Sequence, residues 1–118
     1  MRVALAQIDP TVGDVDGNAA KIAEWIGRAE REGAELTIFP ELCVPGYPAE
    51  DLYLKRHFLA ANQRAVEELA RGVGAMTVLV GFAESAAGES DSRHAHNSLA
   101  VLRDGAAHSV YRKNRLPN

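Results

Sequence analysis

The chain has 118 residues, 47% of them hydrophobic and 25% charged, and carries a formal net charge of -3. That length can bury one core, and the mild acidic balance lacks the electrostatic footprint of a nucleic-acid or anionic-membrane partner. No apolar run is long enough to span a bilayer, the apolar start is too short for a signal peptide, and the single cysteine, Cys43, excludes an internal disulfide framework and fits a reducing, cytoplasmic setting.

In chain order, Val3–Ile8 is an apolar run read as a strand buried on both faces, broken by Asp9-Pro10. Val12–Asn18 is turn chemistry, in which Asp16 or Asn18 can cap the helix that follows. Ile22, Ala23, Trp25, Ile26 and Ala29 then recur at helical spacing until Gly33. Glu35–Phe39 is a second strand, and the prolines of Pro40–Pro48 predict a loop with a defined path. Asp51–Leu54 reads as a helical turn and Phe58–Gly72 as an amphipathic helix with Leu59, Val66, Leu69 and Ala70 inward. Met76–Phe82 is a third buried strand and Ala86–Ser92 an exposed connection. Ser98–Leu102 and Ala107–Tyr111 flank Asp104-Gly105, a strong hairpin signal. The order β-α-β-α-β-β-β predicts an α/β layered sandwich.

Glu41 follows a strand and a proline, where a rigid loop can present a carboxylate as a general base. Burial there would raise its pKa and a nearby cation would lower it. The plainer reading is a surface carboxylate capping the next turn. Lys113, between Arg112 and Arg115 at a strand end, could stabilise an oxyanion or stand as part of a solvated cationic patch. Cys43 lies two residues after Glu41, so an extended segment would put both side chains on one side. A small apolar filler is the commoner role for such a thiol. His94 and His96 have strand spacing but no neighbouring carboxylate or thiolate, so no metal site is expected. Asp14–Gly17 lacks the remaining ligands of a calcium loop, and Gly72-Val73-Gly74 is no dinucleotide fingerprint.

Three ordered segments together resemble the nitrilase (carbon–nitrogen hydrolase) superfamily. They are Val3-Ala-Leu-Ala-Gln-Ile8, Phe39-Pro-Glu-Leu-Cys-Val-Pro-Gly-Tyr-Pro48, and Tyr111-Arg-Lys-Asn-Arg-Leu116 after the Asn97-Ser98 strand. Asp9-Pro-Thr-Val-Gly-Asp-Val-Asp-Gly-Asn18, Gly46-Tyr-Pro-Ala-Glu-Asp-Leu-Tyr-Leu54 and the Leu116-Pro-Asn118 ending are similar to the glutaminase branch attached to NAD synthetases.

The resemblance implies a nitrilase-like αββα sandwich of which residues 1–118 form the first part. It implies Glu41 as general base and Lys113 as the cation that holds the tetrahedral intermediate. It further implies glutamine as substrate, with the released ammonia passed to a synthetase domain that uses ATP, Mg and deamido-NAD. Neither that domain nor its cofactors belong to these residues. In the family the nucleophilic cysteine follows the lysine motif, in a place Cys43 does not occupy. The 118 residues are therefore expected not to hydrolyse glutamine alone, and, with strand faces left without partners, to form homo-oligomers. Two other readings share these features: a stand-alone amidase or nitrilase, and a non-catalytic assembly fragment.

Overall fold

The computed structural model describes residues 1–46, 56–85 and 95–113. Its elements run β1 (Val3–Leu5), α1 (Val15–Arg31), β2 (Leu36–Ile38), α2 (Arg56–Arg71), β3 (Thr77–Ser85), β4 (Ala95–Arg103) and β5 (Ala106–Arg112). The strands form one sheet in sequential order. β1, β2 and β3 are parallel, while β3, β4 and β5 are antiparallel neighbours. Parallel pairing needs a crossover and antiparallel pairing does not. The two helices serve as those crossovers and, with the strand order advancing in one direction, right-handed connections put both on the same face.

The core fills the space between that face and the helices. Ile22, Ile26 and Ala29 of α1 and Val66, Leu69 and Ala70 of α2 pack with Val78, Val80, Phe82, Ala100 and Leu102 of the sheet. Along α1 the inward set is narrower than its apolar pattern predicts. Ala23 is exposed, and Trp25 is half-buried with the Arg28 guanidinium 4.4 Å from its ring centre. The α1 cap also differs from expectation. Asp14 is the N-cap, its side chain accepting the Gly17 N–H at 3.0 Å, and Asp16 lies in the first turn. Asn18 is not free to cap, because its buried side chain accepts the Thr11 N–H at 2.8 Å and donates to Thr11 O at 2.8 Å and Val44 O at 2.9 Å.

β1 is shorter than its apolar run, and it is not buried on both faces. It is an edge strand in which Val3 and Leu5 are 45% and 71% exposed. Strand alternation aligns these two with Leu36, Ile38, Leu79, Leu99, Val101 and Tyr111 on the face away from the helices. All of these are half-buried or exposed. The sheet thus has one closed face and one open apolar face, as expected of the first part of a face-to-face sandwich.

The β4–β5 hairpin turns at Asp104 and Gly105, with φ of 49° and 80°. Positive φ at both central residues is the type I′ geometry that matches strand twist, and glycine adopts it without penalty. A register shift between Val101 and Leu102 lets β5 re-aim its last residues. The expected turn at Asp51–Leu54, the Ala86–Ser92 connection and His94 lie outside the described residues, as do residues 114–118.

Candidate active site

The loop after β2 takes over the free edge of β3. Phe39 N–H donates to Leu79 O at 2.9 Å and Val44 N–H to Gly81 O at 3.1 Å, which continues the ladder past the end of β2. Beyond them, the buried Asn62 of α2 accepts the Ala83 N–H at 3.2 Å. Between its anchors the chain bulges outward, with Leu42 at φ 52°. Gly81 makes this possible: a Cβ there would stand 2.5 Å from Leu42 N and 3.0 Å from Pro40 O. The Asn18 carboxamide and the Gly13 N–H, which donates to Pro45 O at 2.9 Å, hold the far end of the loop.

This bulge sets Glu41 over the ends of β4 and β5. Lys113 Nζ donates to Glu41 Oε1 at 3.0 Å, and Asn97 Nδ2 donates to the same oxygen. Lys113 N–H donates to Asn97 O at 2.9 Å, so the lysine is held at the backbone by the residue whose side chain meets the glutamate. Asn97 is 7% exposed, whereas the Glu41 and Lys113 side chains are 55% and 45% exposed. The carboxyl is held below its ordinary pKa, chiefly by the Lys113 ammonium and then by the Asn97 amide, and these outweigh desolvation. Glu41, Gly81, Asn97, Leu99, Tyr111 and Lys113 line an open hollow of 440 Å³. There the ionised carboxylate can accept a proton, and the ammonium beside it can steady a developing negative oxygen nearby.

The remaining candidates separate from this group. Cys43 does not share a side with Glu41, because the segment is a turn. The thiol is fully buried, 3.5 Å from Gly81 O, and burial pushes its pKa up to about 12. Arg112, expected beside Lys113, stands on the other side of the sheet, where Nε and Nη2 donate to Glu84 at 2.6 and 3.0 Å. His96 pairs with Glu84 in register, also away from Glu41. Among the described residues, no group of three or more His, Cys, Asp or Glu is placed to hold a metal ion. Asn97 was visible in the sequence only as part of a motif. Its role depends on strand register, which no local pattern discloses.

A β-α-β-α-β-β-β sheet with both helices on one face and an open apolar face on the other is the first part of a nitrilase-like αββα sandwich. The chain belongs to the carbon–nitrogen hydrolase family, whose profile matches residues 2–118. It is 45% identical to the glutamine-dependent NAD(+) synthetase of Thermotoga maritima, an alignment that covers 100% of this chain and 20% of that protein. Among solved structures, the glutamine-dependent NAD(+) synthetase of Cytophaga hutchinsonii superposes with a TM-score of 0.90 at 26% identity, over 100% of this chain and 20% of that one. The Acinetobacter baumannii enzyme, solved with ADP, gives 0.87 at 38% identity, over 98% and 21%. The chain thus spans about a fifth of the length of the curated relatives it matches.

Proposed function

We propose that residues 1–118 form part of the glutaminase domain of a glutamine-dependent NAD synthetase, and supply its general base, Glu41, and its oxyanion-stabilising cation, Lys113. The observation that carries this reading is the Glu41–Lys113 pair, joined at 3.0 Å across 72 positions of sequence beside an open hollow. In the reaction, a cysteine thiol contributed by the rest of the protein loses its proton to Glu41 and its sulfur attacks the glutamine carboxamide carbon. Lys113 holds the resulting oxyanion. Glu41 returns the proton to the departing nitrogen, ammonia leaves, and a thioester remains. Water, deprotonated by the same carboxylate, then releases glutamate and restores the thiol.

Cys43 does not serve as that nucleophile. It is the one cysteine of the chain, sealed in the core with a pKa of about 12, so at neutral pH it offers no thiolate. The isolated chain is accordingly inactive. ATP, Mg and deamido-NAD would be bound by the rest of the whole protein. Gly72 and Gly74 lie in the turn between α2 and β3, a helix-to-strand connection and not the strand-to-helix turn that cradles a nucleotide phosphate. The open apolar sheet face supports association of the isolated chain into a homo-oligomer, and the buried free thiol fits a cytoplasmic setting. No helix among the described residues is long and apolar enough to cross a membrane.

The test compares Glu41→Gln and Lys113→Met in the full-length protein, with glutamine or ammonium as nitrogen donor. Both variants should lose glutamine-driven NAD formation and keep ammonium-driven formation. Retention of glutamine-driven turnover in Glu41→Gln would overturn the reading.

A further inference from the structure

We infer that Asn97 is a positioning residue that aims the Glu41 carboxylate and fixes its distance from Lys113. This rests on the general-base reading of Glu41 and assigns the residue through which that base is held. Asn97 is nearly buried while the two side chains it organises are about half exposed, so it is the fixed point of the group. Its backbone carbonyl takes the Lys113 N–H at 2.9 Å and its carboxamide donates to Glu41 Oε1. One residue therefore sets both partners, the lysine through the β4–β5 ladder and the glutamate through a side-chain bond.

Both hydrogen bonds to the carboxylate fall on Oε1, so the carboxylate plane is set by a buried amide and proton exchange is directed to Oε2. A lysine alone, half exposed on a flexible four-carbon stem, gives no such direction. The neutral amide also supplies a donor with no charge of its own. It therefore orients the base without adding a second cation that would lower basicity further.

Among the described residues, the charged and titratable groups around Glu41 are few. From β5 come Lys113 at 3.0 Å and, in the lining of the hollow, Tyr111 and Arg112, the last with its guanidinium engaged by Glu84 on the other face. On the loop itself Cys43 turns inward to Gly81 O. From β4, His96 lies on the Glu84 side. Asn97 is thus the uncharged partner through which the Glu41 titration can be moved while Lys113 stays in place.

The experiment measures Asn97→Leu and Asn97→Asp in the full-length protein, with Glu41→Gln as control. It follows glutamine hydrolysis against pH, and the Glu41 carboxyl by carbon-13 NMR titration. With Asn97→Leu, kcat should fall on the order of a hundredfold, from misaim of the base, with KM for glutamine changed by less than about threefold. The acid limb of the rate profile and the Glu41 titration midpoint should both move up, because a hydrogen bond that favours the ionised carboxylate is lost. Asn97→Asp keeps the shape and sets a carboxylate against a carboxylate, so its midpoint should rise further. It also serves as the test if Asn97→Leu fails to fold. Wild-type pH profiles and titration midpoints in the folded Asn97 variants would overturn the inference while leaving Glu41 as the base. A Glu41→Gln protein that still hydrolyses glutamine would instead remove the reading on which the inference rests.

Discussion

Asn97 and Lys113 face each other at the end of the β4–β5 ladder, the lysine N–H donating to the asparagine carbonyl at 2.9 Å, and their side chains converge on one oxygen of Glu41. The pairing puts a cation and a neutral donor side by side on a carboxylate delivered by a different part of the chain. Its consequences for ionisation, loop geometry and thiol chemistry can each be measured.

Glu41 has a lowered pKa in the folded chain. The sign follows directly. A depressed carboxyl pKa contributes stability that is present above the unfolded pKa and is lost as pH falls through the folded one. The urea midpoint of the wild type should therefore exceed that of Glu41→Gln at neutral pH, by a small margin because the pair is exposed. The margin should close in acid. A margin that grows on acidification would contradict the assigned bonds.

Replacing Lys113 with methionine removes the ammonium that chiefly holds the Glu41 carboxyl below its ordinary pKa. The Glu41 titration midpoint should rise in Lys113→Met, and glutamine-driven turnover of the full-length protein should fall by about a hundredfold or more, the scale of losing one oxyanion donor. NMR titration and donor-specific turnover separate the two effects.

Gly81 leaves space for the bulge that carries Glu41. In Gly81→Ala the new methyl meets backbone atoms of Leu42 and Pro40 at 2.5 and 3.0 Å, which no side-chain rotation relieves. A loss of about 1–3 kcal/mol in unfolding free energy is expected, together with a weakened Glu41–Lys113 bond seen as an upward move of the Glu41 midpoint. An unchanged midpoint at reduced stability would show that the loop absorbs the strain elsewhere.

Asn18 latches the loop from the helix side. Asn18→Leu would leave the Thr11 N–H, the Thr11 carbonyl and the Val44 carbonyl without their present partner. The Val44 carbonyl is buried and would lose its partner outright, whereas water can reach the part-buried Thr11 groups, so a loss of about 1–3 kcal/mol is expected in denaturant unfolding.

Cys43 should resist alkylation in the native protein and react on unfolding, because its thiol is fully buried with a pKa of about 12. Cys43→Ala should cost on the order of 1 kcal/mol, as for a small core deletion, and leave glutamine hydrolysis by the full-length protein intact. Fast labelling of native Cys43 would contradict the packing described.

Element types, their order and the Asp104-Gly105 hairpin were legible from the amino-acid sequence alone, because periodicity, proline and glycine act through neighbouring dihedrals. Glu41 and Lys113 were legible as candidates through the motifs around them. Three things were decided only in three dimensions. Val3 and Leu5 are exposed because β1 is an edge, and an apolar run cannot say which of its faces has a neighbour. Asp14 rather than Asn18 caps α1 because tertiary hydrogen bonds claim the Asn18 carboxamide. Cys43 points into the core because the Leu42 turn, fitted against Gly81, breaks the alternation an extended segment would have kept. Local chain chemistry sets what each segment can be. Strand register and loop packing set which side chains meet, and Asn97 reaches Glu41 only through them.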